Sequence, residues 1–142
     1  MKKIAVVGTR RRDTPSAYKL VEEKFFEIYV EGDWIVSGGC KKGGDRFAEV
    51  IAKKHGIPIL LFYPNYPRYK QGATIVRNGP VAETCDVVIA CVMHPEDGII
   101  KVLQRTKGGT EDMLKKHAKF KRNKYEVHLV WKRKKSLDGK DF

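Results

Sequence analysis

The chain has 142 residues, 42% of them hydrophobic and 10% aromatic, which suits one folded domain with a single core and excludes global disorder. No apolar run approaches the roughly 20 residues needed to cross a bilayer, and the apolar stretch behind Met1-Lys2-Lys3 ends at Gly8-Thr9-Arg10, too soon for a secretory leader. The expectation is a soluble cytoplasmic protein without a membrane partner, whose net charge of +12 admits nucleic acid among its contacts.

Residues 3–7 read as a strand covered on both faces, because their apolar side chains run without alternation. A helix follows. Thr14 or Asp13 can cap it, Pro15 suits its first turn, and Val21, Phe25 and Ile28 recur on one face until Gly32 stops it. Residues 34–37 are the second strand. The next helix is expected to open near Asp45 and run to Gly56, with Phe47, Ala48, Ile51 and Ala52 inward. Residues 57–62 form the third strand.

A loop rich in tyrosine and proline spans residues 63–69 and leads to a helical stretch that Gly79-Pro80 should kink or restart. The fourth strand covers residues 86–92, the last helix 110–120 and the fifth strand 125–131; a charged tail occupies 133–142. Single helices between strands imply parallel neighbours and right-handed crossovers. The predicted fold is therefore α/β, a Rossmann-like three-layer α/β/α sandwich with a mainly parallel sheet of about five strands. It is expected to form one domain over residues 1–132. Ligands of such folds bind beyond the carboxyl ends of the strands.

Three loops expected at that edge combine glycine with hydroxyl or basic side chains: Gly8-Thr9-Arg10, Ser37-Gly38-Gly39-Cys40-Lys41-Lys42-Gly43-Gly44-Asp45 and Gly108-Gly109-Thr110-Glu111. Glycine lets a ligand approach the backbone, and a helix start offers free N–H groups and a favourable dipole to an anion. Together they predict a phosphate site. GxxxxGK[ST] is absent, as is GxGxxG after the first strand, so neither a P-loop hydrolase nor a nicotinamide dinucleotide site is indicated.

Asp45 has two compatible readings, the cap of its helix or an acceptor for a ribose hydroxyl. Glu111 supports its helix dipole and also stands where a carboxylate could face the ligand. Arg77-Asn78 either points into the crevice or forms a solvated turn. Tyr63, Tyr66 and Tyr69 either stack a base or pack the loop down. The odd set Cys40, Cys85 and Cys91 has no CxxC spacing, and the four histidines stand singly, so reduced thiols and no metal site are expected. No cofactor is called for.

The segments VVGTR, SGGCKKGGDRFAEVIAKKHGIP, RYKQGATIVRN, ETCDVVIAC and GGTEDM resemble the SLOG superfamily, most closely its small single-domain YspA-like, YpsA-related branch. The likeness runs over about residues 6–119. The superfamily includes the LOG phosphoribohydrolases and the DNA-processing protein DprA. The resemblance implies a Rossmann-like domain that binds a nucleotide or nucleotide derivative. Matched by motif, Gly8, Thr9 and Arg10 supply the first loop, and Ser37, Gly38, Gly39, Gly44 and Asp45 the second. Arg77 and Asn78 come from the central helix, and Gly108, Gly109 and Thr110 from the phosphate-binding turn. The LOG signature PGGxGTxxE is only partly present in residues 107–112, which lack the leading proline and one glycine and carry Glu111 out of place. Residues 93–107 are longer than the family pattern and read as a lid or an insertion. LOG-like relatives also suggest a homodimer.

Three functions follow as expectations. The first is a binding module for a nucleotide derivative. The second is a hydrolase of a ribose–base or phosphoester bond, with Asp45 and Glu111 as candidate catalytic carboxylates and Arg77 as phosphate or charge partner. The third is a DprA-like nucleic-acid binder using residues 119–135, where eight Lys or Arg face the single acid Glu126.

Overall fold

In the computed structural model, which describes residues 1–122 and 124–130, five strands pair in the order β3-β2-β1-β4-β5, every neighbour parallel. They are β1 (Lys3–Gly8), β2 (Trp34–Ser37), β3 (Ile59–Leu61), β4 (Val87–Cys91) and β5 (Val127–Leu129). The helices are α1 (Pro15–Ile28), α2 (Gly44–His55), α3 (Tyr66–Tyr69), α4 (Ala73–Thr84), α5 (Gly98–Gln104) and α6 (Gly109–Phe120). This is the Rossmann-like three-layer sandwich that the strand–helix alternation predicts. No helix among the described residues is long and apolar enough to cross a membrane.

Alternate side chains of the sheet feed two cores. Ile4, Val6, Ile35 and Ile89 meet Val21 and Phe25 of α1 and Phe47 and Ile51 of α2 on one face. Ala5, Val7, Val36 and Val88 meet Val81 of α4, Val102 of α5 and Leu114 of α6 on the other. Burying each of the larger side chains contributes roughly 1.5–3 kcal/mol. Chain direction reverses its path at β1 and β4. The connection after β1 covers one face and that after β4 the opposite face, which opens a crevice between their carboxyl ends.

Thr14 caps α1, its Oγ1 accepting from the Ala17 N–H at 3.2 Å. Two expectations need correction. The cap of α2 is Gly43, with no side-chain capping bond, because the Asp45 carboxylate turns back to the preceding loop. Pro80 does not restart α4; the helix runs through it. Loss of one backbone bond is outweighed by the burial of Asn78, Val81 and Ala82 on either side. Residues 93–107, read as a lid or an insertion, contain a 3-10 turn at Pro95–Asp97 followed by α5, which anchors Val102 in the core. Trp131, the tail at 133–142 and the basic residues 132–135 lie outside the described residues.

Candidate functional site

At the carboxyl edge of the sheet lies a cavity of about 370 Å³. Of the residues that the sequence singles out, Gly8, Thr9, Arg10, Gly38 and Asp45 line one side of it. Arg77, Asn78, Gly108, Gly109, Thr110 and Glu111 line the other. The three glycine-bearing loops therefore converge, although their residues are up to about a hundred positions apart in the chain.

Each wall has a local cause. The Thr9 N–H donates to the Cys91 carbonyl at 2.9 Å, extending the β1–β4 pairing by one step. Thr9 Oγ1 then accepts from the Arg11 N–H at 3.3 Å and starts the 3-10 turn Arg10–Arg12. That turn brings both Arg10 and Arg11 to the cavity. Both are exposed, and neither pairs with a carboxylate among the described residues.

The first turn of α6 lines the same cavity. Its cap, Gly108, has φ +113 and supplies no side-chain bond, so the opening amides of the helix are left to whatever enters the cavity. Asn78 fixes this turn from α4, with Nδ2 donating to the Gly109 carbonyl and to Asp112 Oδ2, each at 3.0 Å.

The two carboxylates are both engaged. Asp45 Oδ2 receives Arg77 Nη1 at 3.1 Å and the Cys40 N–H at 3.0 Å. Glu111 Oε2 receives Arg105 Nη1 at 3.2 Å, while Nη2 of the same guanidinium holds Asp97 and the His94 carbonyl. With Asp45 offset by Arg77 and Glu111 by Arg105, the cationic surplus of the lining comes from Arg10 and Arg11.

Three predicted ligand contacts stand elsewhere. Ser37 is fully buried beneath the loop, where its Oγ accepts from the Gly39 N–H at 3.2 Å. Gly39 lies under the Tyr63 ring, against which a Cβ would collide. Gly44 packs on the Val7–Gly8 backbone so closely that no Cβ fits. These three shape the cavity from behind its surface. Tyr63, Tyr66 and Tyr69 are exposed and outside the lining.

Sequence reasoning misses Arg11, Cys40 and Thr74, which also line the cavity, and Arg105, which holds Glu111. The arginine run after β1 is a signal for Arg11. Nothing local marks Arg105, whose partners are set by the fold of residues 93–107. Of the basic segment, residues 119–122 form the carboxyl end of α6 and the turn after it, where Lys121 lies 3.9 Å from Asp86, the residue just before β4.

No protein-family model, curated protein or solved structure matches the chain.

Proposed function

We propose that this protein binds a nucleotide or nucleotide-derived ligand, its phosphate held between the first turn of α6 and the Arg10–Arg11 turn. The observation that carries this reading is that the unpaired Arg10 and Arg11 and the start of α6, which has no side-chain capping bond, line one cavity. A desolvated anion gains from both at once. The volume of about 370 Å³ falls within the range of small-molecule sites. The SLOG resemblance supports the same ligand class, and membership of that superfamily is part of the proposal.

Binding is favoured over N-glycosidic or phosphoester hydrolysis. A glycosidase of this type needs a carboxylate that faces the anomeric carbon, and Asp45 and Glu111 each commit one oxygen to a guanidinium, Oδ2 to Arg77 and Oε2 to Arg105. A nucleic-acid contact through residues 119–122 would be a separate surface, at the other end of α6 from the cavity.

Mass spectrometry of small molecules released by denaturing the purified protein tests the reading. A retained nucleotide is expected. Incubation with AMP and CMP, followed by chromatography for free base, is expected to show no turnover. Rapid release of base would move the assignment to the hydrolase.

A further inference from the structure

We propose that Arg77 is a positioning residue that locks the loop between β2 and α2 against α4, so that the cavity stands formed before any ligand arrives. The guanidinium spends Nη1 on Asp45 Oδ2 at 3.1 Å and Nε on the Thr74 carbonyl at 3.4 Å. Both side chains of the Arg77–Asp45 pair are 11% exposed, so the pair is largely shielded from water and salt. The same Asp45 oxygen accepts the Cys40 N–H at 3.0 Å. Ser37 Oγ closes the base of the loop by accepting from the Gly39 N–H and donating to the Asp45 carbonyl at 3.4 Å. A single bonded chain thus runs from α4 through Asp45 to the backbone of the loop.

Gly38 supports this assignment. The Arg77 guanidinium lies where a Cβ on residue 38 would be. The absence of a side chain there admits the arginine as much as it admits a ligand. The lock also spans the fold, because α2 packs on one face of the sheet and α4 on the other. Their meeting at Asp45 and Arg77 joins the two walls of the crevice at its floor. The purpose of the lock rests on the nucleotide-binding reading. Its existence does not, and it can be measured with no nucleotide present.

Cys40 is the reporter. It is half-buried in the locked loop and lines the cavity, whereas Cys85 and Cys91 are fully buried. Burial also pushes the latter two thiols up, to about 12 and about 11, so Ellman's reagent should find one reactive thiol in the native protein. Its rate is compared in the wild type, Arg77→Met, Arg77→Lys, Asp45→Asn and Gly38→Ala. In Arg77→Met, Asp45→Asn and Gly38→Ala the rate at Cys40 should rise on the order of tenfold through local opening. A single thiol should still react, and Arg77→Lys should recover much of the protection. An unchanged Cys40 rate in a folded Arg77→Met or Asp45→Asn protein overturns the lock. So does simultaneous reaction of all three thiols in both variants, since the pair would then hold the whole fold and not this loop. Nucleotide titrations of the same proteins report separately on the ligand.

Discussion

Asn78 holds the mouth of the cavity together by donating one amide group to two acceptors, the Gly109 carbonyl and the Asp112 carboxylate, each 3.0 Å away. The side chain is buried on α4 and its partners open α6, so this contact sets where the helix start faces. Replacing it with alanine removes a hydrogen bond to a charged group, for an expected loss of about 1–3 kcal/mol. Asn78→Asp should be at least as harmful at neutral pH, because it sets a second carboxylate beside Asp112. Thermal melts of both variants check this; an unchanged midpoint would mean that the helices hold their places without Asn78.

Gly44 tests packing against ligand contact. An added Cβ would strike the Val7 and Gly8 backbone, which cannot step aside without breaking β1 from its neighbours. Gly44→Ala should therefore destabilise the protein by about 3 kcal/mol or more, the upper end for overpacking. A residue whose role was to admit a phosphate would instead leave the melting midpoint intact and weaken binding only. Melting and nucleotide affinity measured on the same variant separate the two.

Acid sensitivity should begin at His117. The ring is fully buried, and Nδ1 must donate to the Ala82 carbonyl at 2.9 Å, leaving Nε2 without a partner among the described residues. Burial pushes its pKa down, aided by Lys121, against the opposing pull of Ala82 and Asp86. A histidine lowered in this way stays neutral in the fold while the unfolded chain takes up the proton first. The stability is complete above the unfolded value of about 6.5 and declines as pH falls below it. Lowered carboxyls such as Asp33, where hydrogen bonds from Lys2 and Val30 outweigh burial, add their own loss only in the more acidic carboxylate range. Denaturant unfolding between pH 7 and 5 should show a slope that His117→Leu flattens. Equal slopes in the two proteins would contradict the assignment.

Much of this architecture is legible because each strand is a short apolar run bounded by turn residues, and because Thr14-Pro15 and Gly56 mark helix ends locally. The convergence of the Gly8, Gly38 and Gly108 loops follows from that topology alone, since parallel strands bring all their carboxyl ends to one edge. What local pattern does not carry is partnership over distance. Asp45 looks like a cap until Arg77, 32 positions on, claims its carboxylate. Gly44 looks like a ligand contact until its packing on β1 puts it behind the surface, and Ser37 until the loop after β2 closes over it. Pro80 reads as a break because proline lacks an N–H, and only the burial of Val81 and Ala82 against the second core shows why α4 continues.

Calorimetric titration with AMP, CMP, GMP, UMP and their nucleosides, on the wild type and Thr110→Asp, bears most directly on the ligand. An aspartate in the first turn of α6 suits the helix dipole and should leave the fold intact, yet it sets a negative charge where the phosphate is assigned. At least one nucleotide should bind the wild type, its nucleoside far more weakly, and Thr110→Asp should lose that binding. If no nucleotide binds, or if one binds equally well without its phosphate and with Asp at position 110, the phosphate site assigned to this cavity is wrong.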